Sequence, residues 1–196
     1  MKNLLIKYNV QGPRYTSYPT VPYWDESPNM EQWVNALSHS ITEASKKGVG
    51  AALYLHIPFC ESLCTYCGCN TRITRRHDVA LPYVDMLLAE MEIYKNKVFP
   101  NQKLKVSEIH LGGGTPTFLS PEELQRLMLG LYKYIEFTPK FECSIEVDPR
   151  VTTQEHLVVL RELQFERISF GIQDFDLSVQ QIVNRVQSFE QVKTLT

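Results

Sequence analysis

Residues 51–67 read AALYLHIPFCESLCTYC, so that an apolar stretch leads directly into three closely spaced cysteines. Cys60, Cys64 and Cys67 have the spacing C-x3-C-x2-C, with an aromatic residue just before the last cysteine. Three thiolates in one short loop can hold three corners of a cubane [4Fe–4S] cluster. The fourth iron then has no protein ligand and can bind a small molecule, which indicates a catalytic centre rather than an electron-transfer centre.

The alternative is that this loop binds a structural zinc ion, with Cys69 as the fourth sulfur ligand. Zinc sites usually space their ligands as two separated pairs, whereas here four cysteines lie within ten residues. The spacing and the preceding strand therefore favour the iron–sulfur interpretation over zinc, and over a disulfide framework as well.

Composition is that of an ordinary globular protein. The 196 residues are 43% hydrophobic and 21% charged, which predicts a single domain of ordinary size with a buried core. A net charge of −2 gives no reason to expect nucleic acid or an anionic membrane as a partner. No apolar run approaches the roughly 18–20 residues of a membrane helix, and the N-terminus lacks a signal peptide pattern. We therefore expect a cytoplasmic protein without membrane insertion, in a compartment where clustered cysteines more often bind metal than form disulfides.

Strand and helix patterns alternate after residue 50, which predicts an α/β fold with a parallel sheet. The predicted strands are 51–57, 106–111, 141–147 and 166–172. The predicted helices are 82–98, one that begins at Ser120-Pro121 with an apolar stripe from Leu124 to Ile135, 153–163, and two further pieces that continue to Thr196. About four βα units are too few to close a barrel. We therefore expect residues 51–196 to be a partial (β/α) barrel, preceded over residues 1–50 by an arm and a helix at 30–46, in the N-terminal portion of a longer protein.

Polar and apolar residues alternate along each predicted strand. Cys143 and Ile145 have one parity in the third strand, whereas Ser144 and Glu146 have the other. We interpret the apolar face as the side that meets the helices, with Cys143 as an inert core thiol. The polar face then lines a reaction chamber.

A glycine-rich segment, residues 112–116, follows the second strand at the edge of the sheet where the cysteines are expected. It matches neither the dinucleotide fingerprint nor a P-loop. Glycines let a ligand approach the backbone closely, although a tight turn between strand and helix explains them equally well. Glu146 and Gln173 come at the ends of the third and fourth strands with polar parity, which favours a polar ligand cradle at this edge.

The cysteine motif and the following glycine segment together resemble the radical S-adenosylmethionine (SAM) enzymes. Further segments resemble one family among them, the oxygen-independent coproporphyrinogen III oxidases, and they occur in order along essentially the whole chain. These segments are Arg14–Thr20, Tyr54–Cys60, Cys67–Asn70, Gly112–Thr117, Ile145–Arg150 and Gly171–Phe175.

The resemblance implies a role for individual residues. It implies that Cys60, Cys64 and Cys67 ligate a [4Fe–4S] cluster, and that two SAM molecules bind beside it. The positions implied for the first SAM are Tyr54, Gly113 and Glu146, and those for the second are Tyr66, Gly114, Thr115, Gln173 and Arg185. Cys69 matches a cysteine that the family needs for activity but does not use as a ligand, and Tyr54 and Cys69 are the implied catalytic residues.

The resemblance also implies an oxidoreductase of heme biosynthesis. In the family, a radical derived from SAM abstracts hydrogen from a propionate side chain, and loss of carbon dioxide and one electron gives a vinyl group. Two such events convert coproporphyrinogen III to protoporphyrinogen IX, with an electron donor and an electron acceptor that the sequence does not identify. We expect a monomer, and we expect the 196 residues alone to be inactive.

Two other functions compete with this interpretation. Haem-binding chaperones of the same superfamily resemble the chain around the cysteines, but they generally lack the Arg14–Thr20 segment and the pattern at Cys69. A zinc-stabilised binding module without catalysis is the alternative from a different functional class.

Overall fold

The structure is a computed structural model that describes residues 2–9, 20–26 and 28–196. The segment Arg14–Thr20, which carries part of the resemblance, lies outside the described residues except for Thr20. The cysteine motif and every candidate site residue lie within them.

Helices and strands alternate through most of the described chain. The helices are α1 (Lys2–Tyr8), α2 (Met30–Lys46), α3 (Ala80–Lys97), α4 (Pro121–Tyr132), α5 (Gln154–Glu162), α6 (Leu177–Ile182) and α7 (Phe189–Leu195). The strands are β1 (Ala51–Ile57), β2 (Phe59–Cys60), β3 (Arg72–Ile73), β4 (Leu104–Gly113), β5 (Ile135–Val147) and β6 (Arg167–Phe170). Short 3-10 turns occur at Val21–Tyr23, His77–Val79 and Pro116–Phe118.

Four strands form one parallel sheet in the order β1-β4-β5-β6. Helices α3, α4 and α5 lie in the connections between neighbouring strands, and α4 packs against both α3 and α5. Because all four strands run the same way, their carboxyl ends meet at one edge of the sheet. The predicted α/β fold with a parallel sheet is confirmed, and β1 and β6 are its outermost strands.

The apolar face of the sheet forms the core. Ile109, Leu111, Cys143 and Ile145 are fully buried there, as the alternation predicted. Burial of each such aliphatic side chain contributes about 1.5–3 kcal/mol to folding. Glu146 has the opposite parity and is exposed, so the sheet keeps one polar face.

Helix α4 begins where its capping residues predicted. The Ser120 hydroxyl accepts a hydrogen bond from the Glu123 amide at 3.2 Å, and the Glu123 carboxylate accepts one from the Ser120 amide at 2.8 Å. This reciprocal pair satisfies two amides that the first turn leaves without partners. Pro121 occupies the first helical position, where its missing N–H costs nothing.

Several boundaries differ from the sequence prediction. Ile135 was wrongly assigned to the apolar stripe of α4, because the helix ends at Tyr132 and Ile135 begins β5, where it pairs with Leu104. Pairing with β4 extends β5 toward its N-terminus by six residues beyond the predicted start at Phe141. Strand β6 is shorter than predicted, and the helix α1 and the short pair β2–β3 were not predicted at all.

Helix α2 packs Val34, Leu37 and Ile41 against the core from outside the sheet. The Ser38 hydroxyl donates to the Val98 carbonyl at 3.2 Å, which links α2 to the end of α3. Within the described residues, no helix combines the length and apolar character that a bilayer crossing requires.

Candidate cofactor-binding site

Residues 61–71, here called the cysteine loop, lie between β2 and β3, just past the carboxyl end of β1. The Arg72 amide donates to the Pro58 carbonyl at 2.7 Å, and the Thr74 amide donates to the Cys60 carbonyl at 2.9 Å. The short parallel pair β2–β3 therefore closes both ends of the loop. This closure brings its thiols to the edge of the sheet where α/β proteins place their active sites.

The far side of the cysteine loop is attached to the end of α6. The Thr65 amide donates to the Val183 carbonyl, and the Thr65 hydroxyl donates to the Ile182 carbonyl, each at 3.1 Å. The Asn184 side-chain amide donates to the Leu63 carbonyl at 2.7 Å. The loop is thus held between β1 and a helix more than 100 residues later in the chain, a contact with no local sequence signal.

Residues 112–116, here called the glycine loop, are bonded directly to the chain that enters the cysteine loop. The Gly114 amide donates to the Ile57 carbonyl and the Thr115 amide to the Phe59 carbonyl, each at 2.8 Å. A Cβ atom on Gly114 would lie 2.8 Å from the Phe59 carbonyl oxygen, so a side chain does not fit there. The Thr115 hydroxyl lies 3.4 Å from the Cys60 sulfur, which brings the two loops into contact.

Gly113 has a φ of +111°, a conformation that side chains strongly disfavour. A Cβ atom there would lie 2.6 Å from the His56 ring. That ring is fixed on both sides, because His56 Nε2 lies 2.8 Å from the Asn70 carbonyl and Nδ1 lies 3.2 Å from the Tyr54 hydroxyl. The carbonyl can only accept, so Nε2 carries the proton and Nδ1 accepts from Tyr54.

The two loops open onto one cleft of about 310 Å³. Eleven of the twelve residues that the sequence singled out line it: Cys60, Cys64, Tyr66, Cys67, Cys69, Gly113, Gly114, Thr115, Glu146, Gln173 and Arg185. Tyr54 is the exception and lies beside the cleft on the polar face of β1. Burial raises the pKa of the Tyr54 hydroxyl, and the nearby charges of Glu146 and Cys69 raise it further.

The thiols differ in exposure but lie within electrostatic reach of one another. Cys64 is buried, Cys60 and Cys67 are half-buried, and Cys69 is exposed, and all are free. Burial raises the pKa of the Cys60 thiol, and the charges of Cys67 and Cys64 add to the effect. Burial also raises the pKa of the Cys69 thiol, and its hydrogen bond with Cys67 raises this pKa further.

Cys64 is the thiol in closest contact with positive charge. Its sulfur lies 3.5 Å from Arg185 Nη1 and 3.8 Å from Arg150 Nη2. Both guanidinium groups also pair with the buried Asp148 carboxylate, at 3.0 Å and 2.7 Å respectively. Asp148 and Arg150 were not predicted as site residues beyond their place in the segment Ile145–Arg150, although charged residues directly after a strand in an α/β protein are a signal for a site.

Glu146 reaches into the cleft from the end of β5. Its carboxylate lies 3.7 Å from His110 Nε2, and the other ring nitrogen of His110 lies 2.8 Å from the Ser144 hydroxyl. The Tyr54 ring stacks on the His110 ring with a centroid separation of 5.8 Å. These side chains form a polar surface beside the glycine loop, as the parity of the strands predicted.

The other side of the cleft is formed by residues around the end of β6. Gln173 is exposed and has a φ of +70°. Arg185 is buried, and its Nε donates to the Gly171 carbonyl at 2.7 Å. Tyr66 lies at the rim with much of its ring exposed. Partial burial of its hydroxyl raises its pKa, and the charge of Cys64 raises it further, whereas the charge of Arg185 lowers it.

The donor set suits an iron–sulfur cluster with a second ligand beside it. Cys60, Cys64 and Cys67 all face one cleft, and positive charge from bound irons would relieve the mutual repulsion of their thiolates. Gly113 and Gly114 both line the cleft, and neither has space for a Cβ atom, because the His56 ring and the Pro58–Phe59 backbone lie against them. Among the residues that the structure describes, no three His, Cys, Asp or Glu side chains converge on a single metal ion. A cubane takes one thiolate at each of three irons, so its ligands need not converge on one point.

Comparison with known proteins finds similarity to radical SAM proteins. The model of the radical SAM superfamily matches residues 54–195. The oxygen-independent coproporphyrinogen III oxidase of Pseudomonas aeruginosa is 40% identical over 195 residues, which cover 98% of this chain and 41% of that protein. The enzyme of the same name from Escherichia coli is 41% identical over 187 residues, which cover 95% of this chain and 39% of that protein.

A solved structure agrees with the sequence comparison. The coproporphyrinogen III oxidase of Escherichia coli, described as a radical SAM enzyme, superposes with a TM-score of 0.80 at 38% identity. The match covers 98% of this chain and 41% of that chain. The chain therefore spans about two fifths of the length of the curated relatives it matches.

Proposed function

The chain belongs to the radical SAM superfamily, and we propose that it forms the cofactor-binding part of an oxygen-independent coproporphyrinogen III oxidase. The reaction is the oxidative decarboxylation of two propionate side chains of coproporphyrinogen III to vinyl groups, which yields protoporphyrinogen IX in heme biosynthesis. Three curated relatives of that name are 38–41% identical over nearly the whole chain, which supports the proposal.

One structural observation carries the proposal: the glycine loop is hydrogen-bonded to the chain that enters the cysteine loop, and both loops open onto the same cleft. The loops come from neighbouring strands, and each leads away from the carboxyl end of its strand. This arrangement puts three thiols beside a backbone surface that a small molecule can approach. A structural metal site needs no such open surface.

Cys60, Cys64 and Cys67 are the proposed cluster ligands. A [4Fe–4S] cluster with SAM, both implied by the family, supplies one-electron cleavage of SAM and hence a radical strong enough to abstract hydrogen. The chain's own contribution is to fix the three sulfurs through the β2–β3 pair and the contacts with α6.

The first SAM is proposed to lie against Tyr54, Gly113 and Glu146. Gly113 lines the cleft without a side chain, and the exposed Glu146 carboxylate can accept hydrogen bonds from an amine. His56 holds the Tyr54 hydroxyl in place and packs against the position where a Gly113 side chain would lie. These three positions are adjacent in the structure although they come from three strands.

The proposed contacts for a second SAM come from the cysteine loop, the glycine loop and the chain that follows β6. They are Tyr66, Gly114, Thr115, Gln173 and Arg185, all of which line the cleft. The exposed Tyr66 ring offers a stacking surface, and the buried guanidinium of Arg185 carries a fixed positive charge that suits a carboxylate. A stoichiometry of two SAM molecules is part of the proposal.

Tyr54 and Cys69 are the proposed catalytic residues. Both have polar hydrogens close to the cleft, and neither is needed to close the cysteine loop. The proposal includes a cytoplasmic, monomeric enzyme whose cluster receives an electron from a donor and whose substrate gives up an electron to a separate acceptor. Clustered free cysteines are consistent with a reducing compartment.

The deciding experiment is anaerobic reconstitution of the full-length protein with iron and sulfide, followed by incubation with SAM, a reductant and coproporphyrinogen III. We expect conversion to protoporphyrinogen IX, detected by chromatography, together with formation of 5′-deoxyadenosine. Haem binding without a vinyl product would favour a chaperone. A colourless, zinc-containing protein that does not cleave SAM would favour a binding module.

Cysteine variants test the assignment of ligands. Cys60→Ser, Cys64→Ser and Cys67→Ser should each lose iron after reconstitution, because each removes one corner of the cluster. Cys69→Ser is the matched control from the same loop, and it should keep its iron while turnover falls. Iron loss in Cys69→Ser equal to that in the other three variants would contradict the assignment.

A further inference from the structure

Arg150, just beyond the end of β5, uses every N–H of its guanidinium group. Nε donates to Asp148 Oδ1 at 3.0 Å, and Nη2 donates to Asp148 Oδ2 at 2.7 Å. Nη1 faces the Ser62 hydroxyl at 3.2 Å and the Asn184 carbonyl at 3.4 Å. The remaining hydrogen of Nη2 points to the Cys64 sulfur at 3.8 Å. These contacts account for all five donors of an arginine.

The acceptors belong to three separate parts of the chain. Ser62 and Cys64 are in the cysteine loop, Asp148 follows β5, and Asn184 follows α6. The planar fork of Arg150 therefore fixes the direction of the Cys64 sulfur relative to the sheet. A lysine has the same charge but cannot reproduce this set of contacts.

The surroundings of Cys64 also carry an excess of positive charge. Arg150 and Arg185 both contact the sulfur, and a single carboxylate, Asp148, pairs with both of them. The side chains of Arg150, Arg185 and Asp148 are 19%, 9% and 6% exposed, so water screens these charges little. Two cations and one anion leave one positive charge to act on a ligand at Cys64.

We propose that Arg150 is a positioning residue that orients Cys64 and raises the reduction potential of the cluster bound there. Hydrogen bonds to ligand sulfurs and the local net charge set the potential of iron–sulfur clusters. Positive charge near the sulfur favours the form that carries the additional electron. The inference rests on the proposed function only in requiring that a cluster binds at Cys60, Cys64 and Cys67.

A purely structural role for Arg150 gives a different result. If the side chain only fastened the cysteine loop, its loss would lower stability and iron content, but clusters that did form would keep the parent potential. The reduction potential therefore distinguishes the two roles. It changes if Arg150 orients and charges the cluster site, and it stays the same if Arg150 only attaches the loop.

The test compares full-length parent protein with Arg150→Gln, Arg150→Lys and a control, Arg126→Gln. Arg126 lies on the outer face of α4 and pairs with Asp85 at 2.6 Å, away from the cleft. Each protein is reconstituted anaerobically, assayed for iron and sulfide, and titrated with reductant while the reduced cluster is followed by electron paramagnetic resonance.

We expect Arg150→Gln to disfavour cluster reduction at least tenfold, a negative shift of about 59 mV for a one-electron couple. The reduction potential of Arg150→Lys should lie between those of the parent and Arg150→Gln. The potential of Arg126→Gln should equal that of the parent. Equal potentials in parent, Arg150→Gln and Arg126→Gln would overturn the inference alone. A parent protein without a cluster would overturn the proposed function as well.

The lysine variant keeps the test decisive if Arg150→Gln does not fold, as judged by circular dichroism. Arg150→Lys retains the charge but loses the fork, so we expect less iron per protein than in the parent and a shifted potential. A reduction potential equal to that of the parent would then overturn the inference, whatever the iron content.

Discussion

Gly113→Ala tests how tightly the glycine loop and β1 are packed. The new Cβ atom would lie 2.6 Å from a carbon of the His56 ring, and the backbone would keep a φ of +111°. Gly48→Ala is the matched control, because Gly48 also has a positive φ, +69°, but a Cβ atom there meets nothing within 4 Å. The difference between the two variants therefore isolates contact with the ring and the more extreme φ of Gly113.

The expected loss of stability follows from two costs. A side chain held in a sparsely populated backbone conformation costs about 1–3 kcal/mol. The ring must also move, which weakens its hydrogen bonds with Asn70 and Tyr54 at about 0.5–1.5 kcal/mol each. We expect Gly113→Ala to lower the free energy of unfolding by about 2–6 kcal/mol. Gly48→Ala should cost about 1 kcal/mol, since a left-handed alanine costs about 1–2 kcal/mol and a less flexible unfolded chain offsets part of this.

Urea unfolding of both variants and the parent, followed by circular dichroism, measures the difference. Thermal melts give a second readout, at about 2–4 °C per kcal/mol for a chain of this size. Equal losses in Gly113→Ala and Gly48→Ala would refute the claim that the anchored His56 ring occupies the space beside Gly113.

Two further predictions concern buried groups in the metal-free protein. Asp148→Asn should lower the free energy of unfolding by about 3–5 kcal/mol in urea, because Arg150 and Arg185 lose their buried counter-charge, and a loss below about 1 kcal/mol would contradict this. Burial raises the pKa of Cys143 from 9.0 to about 12. The unfolded chain therefore loses this proton first, and stability should fall as pH rises from about 9 to 12, by up to about 1.4 kcal/mol per pH unit. Cys143→Ala should remove that part of the slope, and parallel alkaline profiles for parent and variant would count against it.

Much of the fold follows from local signals. The capping residues of α4 and the alternation in β1, β4 and β5 depend on neighbours in the chain. Helix α4 and strand β1 begin where they were predicted, whereas β4 and β5 extend beyond the predicted residues. Ile135 shows the limit of such signals. Its spacing continues the apolar stripe of α4, but pairing with Leu104 on the neighbouring strand places it in β5. The pairing with Leu104, 31 residues earlier in the chain, cannot be recognised from the local spacing of apolar residues.

The candidate site divides in the same way. The spacing of Cys60, Cys64 and Cys67 is enough to predict them as candidate cluster ligands. The parity of β5 correctly predicted that Glu146 lies on the polar face. The contact between Arg150 and Cys64 joins residues 86 positions apart, so only the fold reveals it. The attachment of the cysteine loop to α6 was missed for the same reason.

The central claim is that three sulfurs hold an iron–sulfur cubane whose fourth iron is free to bind SAM. Mössbauer spectroscopy of full-length protein reconstituted anaerobically with ⁵⁷Fe, before and after addition of SAM, tests it most directly. We expect a [4Fe–4S] cluster in which one iron changes its spectrum when SAM is added. A protein without such a cluster, or a cluster whose four irons are unaffected by SAM, would contradict the account.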